Sequence, residues 1–237
     1  MNNTEKLCLI TGASKGIGRA TAIKLAHEGY SLALMARDIE ALENLAEELS
    51  SVNTDIITLK TDLLKKEDII RGLDTIFNRF GNIDILINNA GLGHFRNAED
   101  LSLEEWDETM SVNVRSGFIL SKEVIAGMKK SGGGHIVAVA SDVSKRTFAR
   151  GSAYCASKYA QDAFFAALRK EVRDYGIKVS TIYPGLVDTP FHAANPDADG
   201  TEWLKAEDVA NAIHYIIGAP KHVVIDELMI HPISQDY

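Results

Sequence analysis

Short apolar runs, each broken by turn residues and followed by apolar positions three and four apart, recur along the chain, and this alternation predicts strand, turn and helix in repeating order. Leu7-Cys8-Leu9-Ile10 is the first run; it breaks at Thr11-Gly12-Ala13-Ser14-Lys15-Gly16-Ile17-Gly18, after which Ala20, Ile23, Leu25 and Ala26 predict a helix ending at Gly29. A second strand is expected over Ser31-Leu32-Ala33-Leu34-Met35-Ala36, with Ile39, Leu42, Leu45, Ala46 and Leu49 on one face of the next helix. Asp55 to Lys60 reads as a third strand, followed by a helix carrying Ile69, Ile70, Leu73, Ile76, Phe77 and Phe80, and Ile83 to Ile87 as a fourth. Ser102-Leu103-Glu104-Glu105 has capping-box spacing and opens a long helix through Trp106, Met110, Val114, Phe118, Ile119 and Val124. His135 to Ala140 is a fifth strand, a helix through Tyr154 runs to about Tyr175, and Lys178 to Tyr183 is a sixth strand. Val209, Ala212, Ile213, Ile216 and Ile217 mark a further helix, and Val223-Val224-Ile225 with Leu228-Met229-Ile230 suggest a last strand and tail. The βαβαβαβ order implies an α/β fold with a parallel sheet and right-handed crossovers.

At 237 residues the chain has the length of one α/β domain, so 1–237 is read as a single domain without a linker or repeat. A net charge of −8 argues against nucleic acid and anionic membrane as partners, because both require a basic footprint. Cys8 and Cys155 lack metal-ligand spacing and suggest no disulfide framework, so no metal is expected and a reducing compartment is the default. The start, Met1-Asn2-Asn3-Thr4-Glu5, has neither a charged leader nor a long apolar stretch, and the expected location is the cytoplasm.

Chemistry enters at the strand ends. Between a strand and a helix, the glycine turn lets backbone N–H groups approach a pyrophosphate at the positive end of the helix. Its G-x-x-x-G-x-G spacing and the lack of Gly-Lys-Ser/Thr disfavour an ATP-type loop, while a glycine turn without a ligand stays open as the alternative. After the second strand come Ala36 and Arg37, where an NAD site would carry an acid; a guanidinium suits a 2′-phosphate, with Lys15 as a second cation. The rival is a solvated Arg37 paired with Asp38. Asp62, beside Leu63, either accepts from an adenine amino group or caps the next segment. Asn113 sits within a helix, where local preference puts it in solvent. Ser141 ends the fifth strand, just ahead of Tyr154-Cys155-Ala156-Ser157-Lys158. Tyr154 and Lys158 are i and i+4 neighbours, and an ammonium at roughly 4 Å would stabilise a phenolate by about 4 kcal/mol, or about three pKa units. A surface Tyr/Lys pair is the competing reading.

With the glycine turn, Asn88-Asn89-Ala90-Gly91, Ser141, Tyr154/Lys158 and Pro184-Gly185 in this order, the chain resembles the short-chain dehydrogenase/reductase family over nearly its whole length. The resemblance implies a doubly wound, seven-stranded parallel Rossmann sheet with helices on both faces, a nicotinamide cofactor, which Ala36, Arg37 and Lys15 specify as NADP(H), and a homodimer or homotetramer. It implies catalysis by Tyr154 as acid or base, Ser141, Lys158 and Asn113, the last holding a water in a proton relay. The cofactor would be met by Gly12, Ser14, Lys15, Gly16, Ile17, Gly18, Arg37, Asp62, Leu63, Asn89, Ala90, Gly91, Tyr154, Lys158, Pro184, Gly185, Val187 and Thr189. Residues 186–204 are read as a substrate lid. Two departures from relatives stand out: Ala140 precedes Ser141 where many have a second serine, and Lys221 to Ile230 lacks the glycine-rich close of bacterial 3-oxoacyl-acyl-carrier-protein reductases.

The expected activity is reversible reduction of a small ketone, aldehyde or hydroxy-acid type carbonyl. An acyl-carrier reductase, with Lys129, Lys130, Arg169 and Arg173 as a basic patch, is the alternative; a non-catalytic NADP-binding regulator and a Rossmann methyltransferase are rivals from other classes. The lid carries His192, Asp197, Asp199 and Glu202 but no lysine or arginine from Thr189 to Leu204, which favours a neutral substrate.

Overall fold

The computed structural model describes residues 6–192 and 202–236. Strands β1 (Leu7–Thr11), β2 (Ser31–Ala36), β3 (Ile56–Lys60), β4 (Ile85–Asn88), β5 (Gly134–Val139) and β6 (Ile177–Pro184) alternate with helices α1 (Gly16–His27), α2 (Ile39–Glu48), α3 (Lys66–Phe80), α4 (Leu103–Met110), α5 (Ser116–Ser131) and α6 (Ser152–Val172). A two-residue pair, β7 (Val187–Asp188) with β8 (Leu204–Lys205), precedes α7 (Ala206–Ile217) and β9 (Glu227–Ile230). Seven strands form one parallel sheet in the order β3-β2-β1-β4-β5-β6-β9.

Because side chains alternate across a strand, the sheet separates two apolar layers. Cys8 and Ile10 face one layer, with Leu25 of α1, Leu42 of α2 and Ile213 of α7; Leu7 and Leu9 face the other, with Leu73 of α3, Leu120 of α5 and Phe165 of α6. Each fully buried Leu, Ile or Phe contributes about 1.5–3 kcal/mol, so two such layers carry the fold. Helix starts are set locally. Asp38 accepts from the Ala41 amide at 3.0 Å, and Ser102 and Glu105 close a reciprocal capping box at 3.1 Å each way.

Three elements differ from the sequence reading. Between α4 and α5 the expected long helix passes through a π-helical turn, Ser111–Arg115. The last strand is Glu227–Ile230 alone; Val223 to Ile225 lies in the connection before it, the pairing with β6 beginning at Thr181↔Glu227 and the Val179 carbonyl accepting instead from Arg169 at 2.9 Å. Within the proposed lid, Pro190–His192 is a short 3-10 turn and Leu204 pairs with Val187, while Asp197 and Asp199 lie outside the described residues. Among the described residues no helix is long and apolar enough to cross a membrane.

Candidate active site

In an open parallel sheet, ligands bind beyond the carboxyl ends of the strands, where connections from neighbouring strands part to opposite faces; here that point lies between β1 and β4. The Thr11 hydroxyl joins the two ends, donating to the Ile87 carbonyl at 3.3 Å and accepting from the Asn89 and Ala90 amides at 3.1 Å each. The Asn89 side-chain amide donates to the carbonyls of Thr11 and Gly12 at 2.8 and 3.3 Å, so its nitrogen is committed to holding the glycine loop. Gly12 and Gly16 adopt φ of +66° and +56°, which side chains with a Cβ rarely tolerate. A Cβ on Gly18 would stand 2.3 Å from the Gly12 carbonyl oxygen and 2.5 Å from Asn89 Nδ2. The loop therefore lies flat on the first turn of α1, and that turn has no side-chain cap and no acidic residue. Its N–H groups and positive dipole end form a cradle that fits a pyrophosphate.

The ends of β2 and β3 adjoin this cradle, the Thr61 amide donating to Ala36 O at 2.8 Å. Arg37 and Lys15 are exposed, and neither has an ion-pair partner among the described residues; Asp38 caps α2 instead of pairing with Arg37. Asp62 accepts from the Leu64 amide at 3.1 Å, so it makes a local turn and leaves its second oxygen 3.9 Å from Lys65. The side chains of Leu63 and Val187 are buried in the two cores. Ser14 and Ile17 are half-buried in the loop, Thr189 leans over it with its methyl 3.3 Å from where a Gly16 Cβ would be, and Pro184 and Gly185 end β6 nearby.

The polar centre is assembled from α6, the π-turn and the β4 and β5 ends. Asn113 is 1% exposed, against the surface position its sequence context suggests. Its Oδ1 accepts from the Leu92 amide at 2.9 Å; its Nδ2 donates to Leu92 O and to Ser157 Oγ, each at 2.8 Å. Ser157 Oγ in turn donates to the Tyr154 carbonyl at 2.7 Å, so the π-turn and the first turn of α6 are tied together. The wider turn gives Asn113 a place in a helix and a side chain free to reach across it. A Cβ on Gly91 would lie 3.5 Å from Asn113 Oδ1 and 3.6 Å from Lys158 Nζ, which places both groups at the open end of β4.

Lys158 is 3% exposed and donates to Val139 O and Gln161 Oε1, each at 3.1 Å, with Nζ 5.8 Å from the Tyr154 ring centroid. This corrects the expectation of a phenol drawn toward neutrality. Burial pushes the Tyr154 phenol above its ordinary range; a hydrogen bond with the Ser141 hydroxyl opposes that, and the Asp142 charge adds to it. Desolvation likewise pulls Lys158 down to about 7. Removal from water outweighs the attraction assumed from sequence spacing.

One group escaped sequence reading. Phe95 stands edge-on to Tyr154 with centroids 5.5 Å apart, and Phe191 and Phe148 complete an aromatic wall, with Phe191 5.6 Å from Tyr154 and Phe148 5.9 Å from Phe95. Gly93 and Gly151 make room, since a Cβ would come within 2.8 Å of Phe95 and 2.5 Å of Phe148 respectively. The signals in the sequence were that pair of glycines in segments without periodicity and Phe191 as an isolated large side chain in the lid.

The short chain dehydrogenase family model matches residues 6–200. Glycine betaine reductase ATRR of Emericella nidulans is 35% identical over 236 residues, covering 96% of this chain, which spans about a fifth (19%) of that protein's length. An alcohol dehydrogenase from Thermococcus sibiricus, complexed with 5-hydroxy-NADP, superposes with a TM-score of 0.91 at 34% identity over 98% of each chain. A 3-ketoacyl-(acyl-carrier-protein) reductase from Brucella melitensis, complexed with NADH, gives 0.87 at 28% identity over 95% of this chain and 96% of that one. Read with the glycine cradle and the buried tyrosine and lysine, these matches establish that the chain belongs to the short chain dehydrogenase family.

Proposed function

We propose that this oxidoreductase interconverts a carbonyl compound and its alcohol with NADP(H), and the observation that carries the reading is the convergence of Ser141, Tyr154, Lys158 and Asn113 beside the glycine cradle. When bound, the nicotinamide cofactor gives hydride to, or takes it from, the substrate carbon. The α1 N-terminus would hold its pyrophosphate, with Arg37 and Lys15 toward a 2′-phosphate. Ser141 donates to the carbonyl oxygen, and Tyr154 transfers its phenolic proton there as negative charge develops. A phenol held in its protonated form suits reduction. Asn113 fixes the turn of α6 that carries Tyr154, and Lys158 waits beside it with a pKa at which it readily gains or loses a proton. A non-catalytic binding protein would have no use for this set. The exposed Phe118, paired with Phe164 across α5 and α6, supports assembly into a homo-oligomer through that face.

The aromatic wall favours a carbonyl with an apolar flank. A separate groove of about 560 Å³ shares only Phe148 with this wall and is lined by none of Ser141, Tyr154 or Lys158. Arg96 is paired with Glu105 at 2.7 Å and His94 lies 3.2 Å from Glu108, so Arg96 is not left to clamp an anionic substrate. The acyl-carrier reading draws on the Brucella likeness. Against it, Lys129 and Lys130 end α5 and Arg173 follows α6, at the amino ends of the strands, away from Tyr154, while Arg169 is held by the carbonyls of Val179 and Asp226.

Steady-state kinetics tests both points. NADPH should exceed NADH in kcat/KM by at least tenfold, as expected of one charge-assisted contact worth about 1.5–3 kcal/mol, and Arg37→Ala should erase most of the difference. Equal efficiency with the two cofactors would count against the assignment. Across a panel of carbonyls, aryl ketones should outrank acetone-sized ones, and Phe95→Ala should narrow that gap about tenfold, the cost of roughly half a buried aromatic contact. A strong, salt-sensitive preference for an acetoacetyl carrier thioester would reverse the order of the two readings.

A further inference from the structure

Ser141 does not stand alone at the end of β5. Its backbone is extended, at φ −169° and ψ 159°, and its Oγ donates to Asp142 Oδ1 at 3.1 Å while accepting weakly from the Val143 amide at 3.4 Å. Asp142 is 3% exposed, an unusual place for a carboxylate unless its oxygens are satisfied. They are satisfied from two directions. Arg146 donates to Oδ2 through Nε at 3.0 Å and Nη2 at 2.5 Å, and Gln235, far along the chain, donates to the same oxygen through Nε2 at 2.7 Å. The other end of the Gln235 amide accepts from the Leu186 amide at 2.7 Å, just past the Pro184-Gly185 turn. His231 lies 3.6 Å from Oδ2. Gly185 is what lets the tail pass: a Cβ there would stand 2.2 Å from Gln235 Oε1 and 2.6 Å from His231. The tail is also pinned by Gly185 N donating to Ile230 O at 2.8 Å.

Resting on the carbonyl-reductase reading above, we infer that Asp142 is a positioning residue for Ser141 and that Gln235 of the C-terminal tail holds Asp142 in place. A serine hydroxyl is a free rotor with one proton. Asp142 Oδ1 fixes its torsion, and the carbonyl oxygen competes for the same proton from the other side, so one swing engages the substrate. Arg146 and Gln235 saturate Oδ2 and keep Oδ1 for the serine. Asp142 acts a second time through its charge, which favours the protonated phenol of Tyr154. The other titratable or charged groups around that phenol are Lys158 and Cys155 on its own helix, with Arg146 and His231 bearing on Asp142 from the following loop and the tail.

The test is the pH profile of kcat/KM for reduction in Asp142→Asn, Gln235→Leu and their double variant, with Tyr154→Phe alongside. Reduction needs a protonated Tyr154, so it declines as pH rises through that group's pKa. Removing the Asp142 charge lowers the pKa, and the decline should move down by about one pH unit, as expected for one charge removed several ångströms away. Gln235→Leu should lower kcat about tenfold with KM for NADPH unchanged, matching loss of one hydrogen bond to a charged group. The double variant should be no worse than the poorer single one, because both act through Ser141. A decline that stays in place in Asp142→Asn, or costs in the two single variants that simply add, would overturn the inference. Gln235→Leu alters a tail residue outside the core and keeps the test available should Asp142→Asn fold poorly. Retained turnover in Tyr154→Phe would instead overturn the parent reading, whatever the Asp142 variants do.

Discussion

Tyr154→Phe is expected to lower kcat on the order of 10³-fold while leaving NADPH affinity intact. General acid catalysis is worth roughly 10²–10⁴ in rate, and the neighbouring Ser141 hydroxyl, which can donate a hydrogen bond, is too weak an acid to deliver its proton in place of the phenol. The ring itself will stay. It is held edge-on by Phe95 at 5.5 Å and in a tilted contact by Phe191 at 5.6 Å, and its backbone carbonyl keeps its bond from Ser157. Loss of turnover with unchanged NADPH binding, read by fluorescence titration and steady-state kinetics together, isolates the proton from the scaffold. Turnover within tenfold of the parent protein would remove Tyr154 from the mechanism.

Lys158→Met should abolish turnover and at the same time raise Tm at neutral pH. An unfolded lysine titrates near 10.4, whereas burial holds Lys158 at about 7 in the folded chain. Between those values the unfolded state binds a proton that the native state does not, so native stability rises with pH across the window and is lowest below about 7, where the buried ammonium must be carried. The penalty there is on the order of a few kcal/mol. Methionine fills the same volume without it, although Val139 O and Gln161 Oε1 lose a donor and return part of the gain. The measurement is Tm from pH 6 to 10 for both proteins. The parent's upward slope should flatten in the variant, and equal slopes would show that Lys158 is not the titrating group.

Most of the sheet could be read in advance because its strands are buried on both faces and its helices carry one apolar face, patterns that survive without tertiary knowledge. The glycine loop was legible for a related reason: positive φ and close backbone approach restrict Gly12, Gly16 and Gly18 locally. Asn113 was different. Its partners, Leu92 and Ser157, lie 21 and 44 residues away, and the π-turn that admits it leaves no trace in apolar spacing. Spacing also brought Tyr154 and Lys158 together correctly but misjudged their ionisation, because burial depends on residues from four other segments. Val223 to Ile225 has strong strand preference and still forms none, and the Val179 carbonyl of the neighbouring β6 is taken by the Arg169 side chain, a partner invisible to local preference. The wall built from Phe95, Phe148 and Phe191 comes from three loops, each of which looked merely polar or irregular by itself.

The join between β1 and β4 also sets the order in which the chain can assemble. β1 pairs with β2 over five positions within a short βαβ unit, but meets β4 over three positions some 77 residues distant, as the Leu7 amide bonding the Asp84 carboxylate illustrates. Closing so long a span costs entropy before any contact repays it, so this docking is expected to follow the local β1–β2 pairing. Thr11 and Asn89 complete the glycine cradle from both sides of that seam. Neither half of the sheet can therefore grip a dinucleotide before the two have met, and a ligand seated in the cradle acts as a clamp on the finished sheet, slowing its separation without hastening its formation.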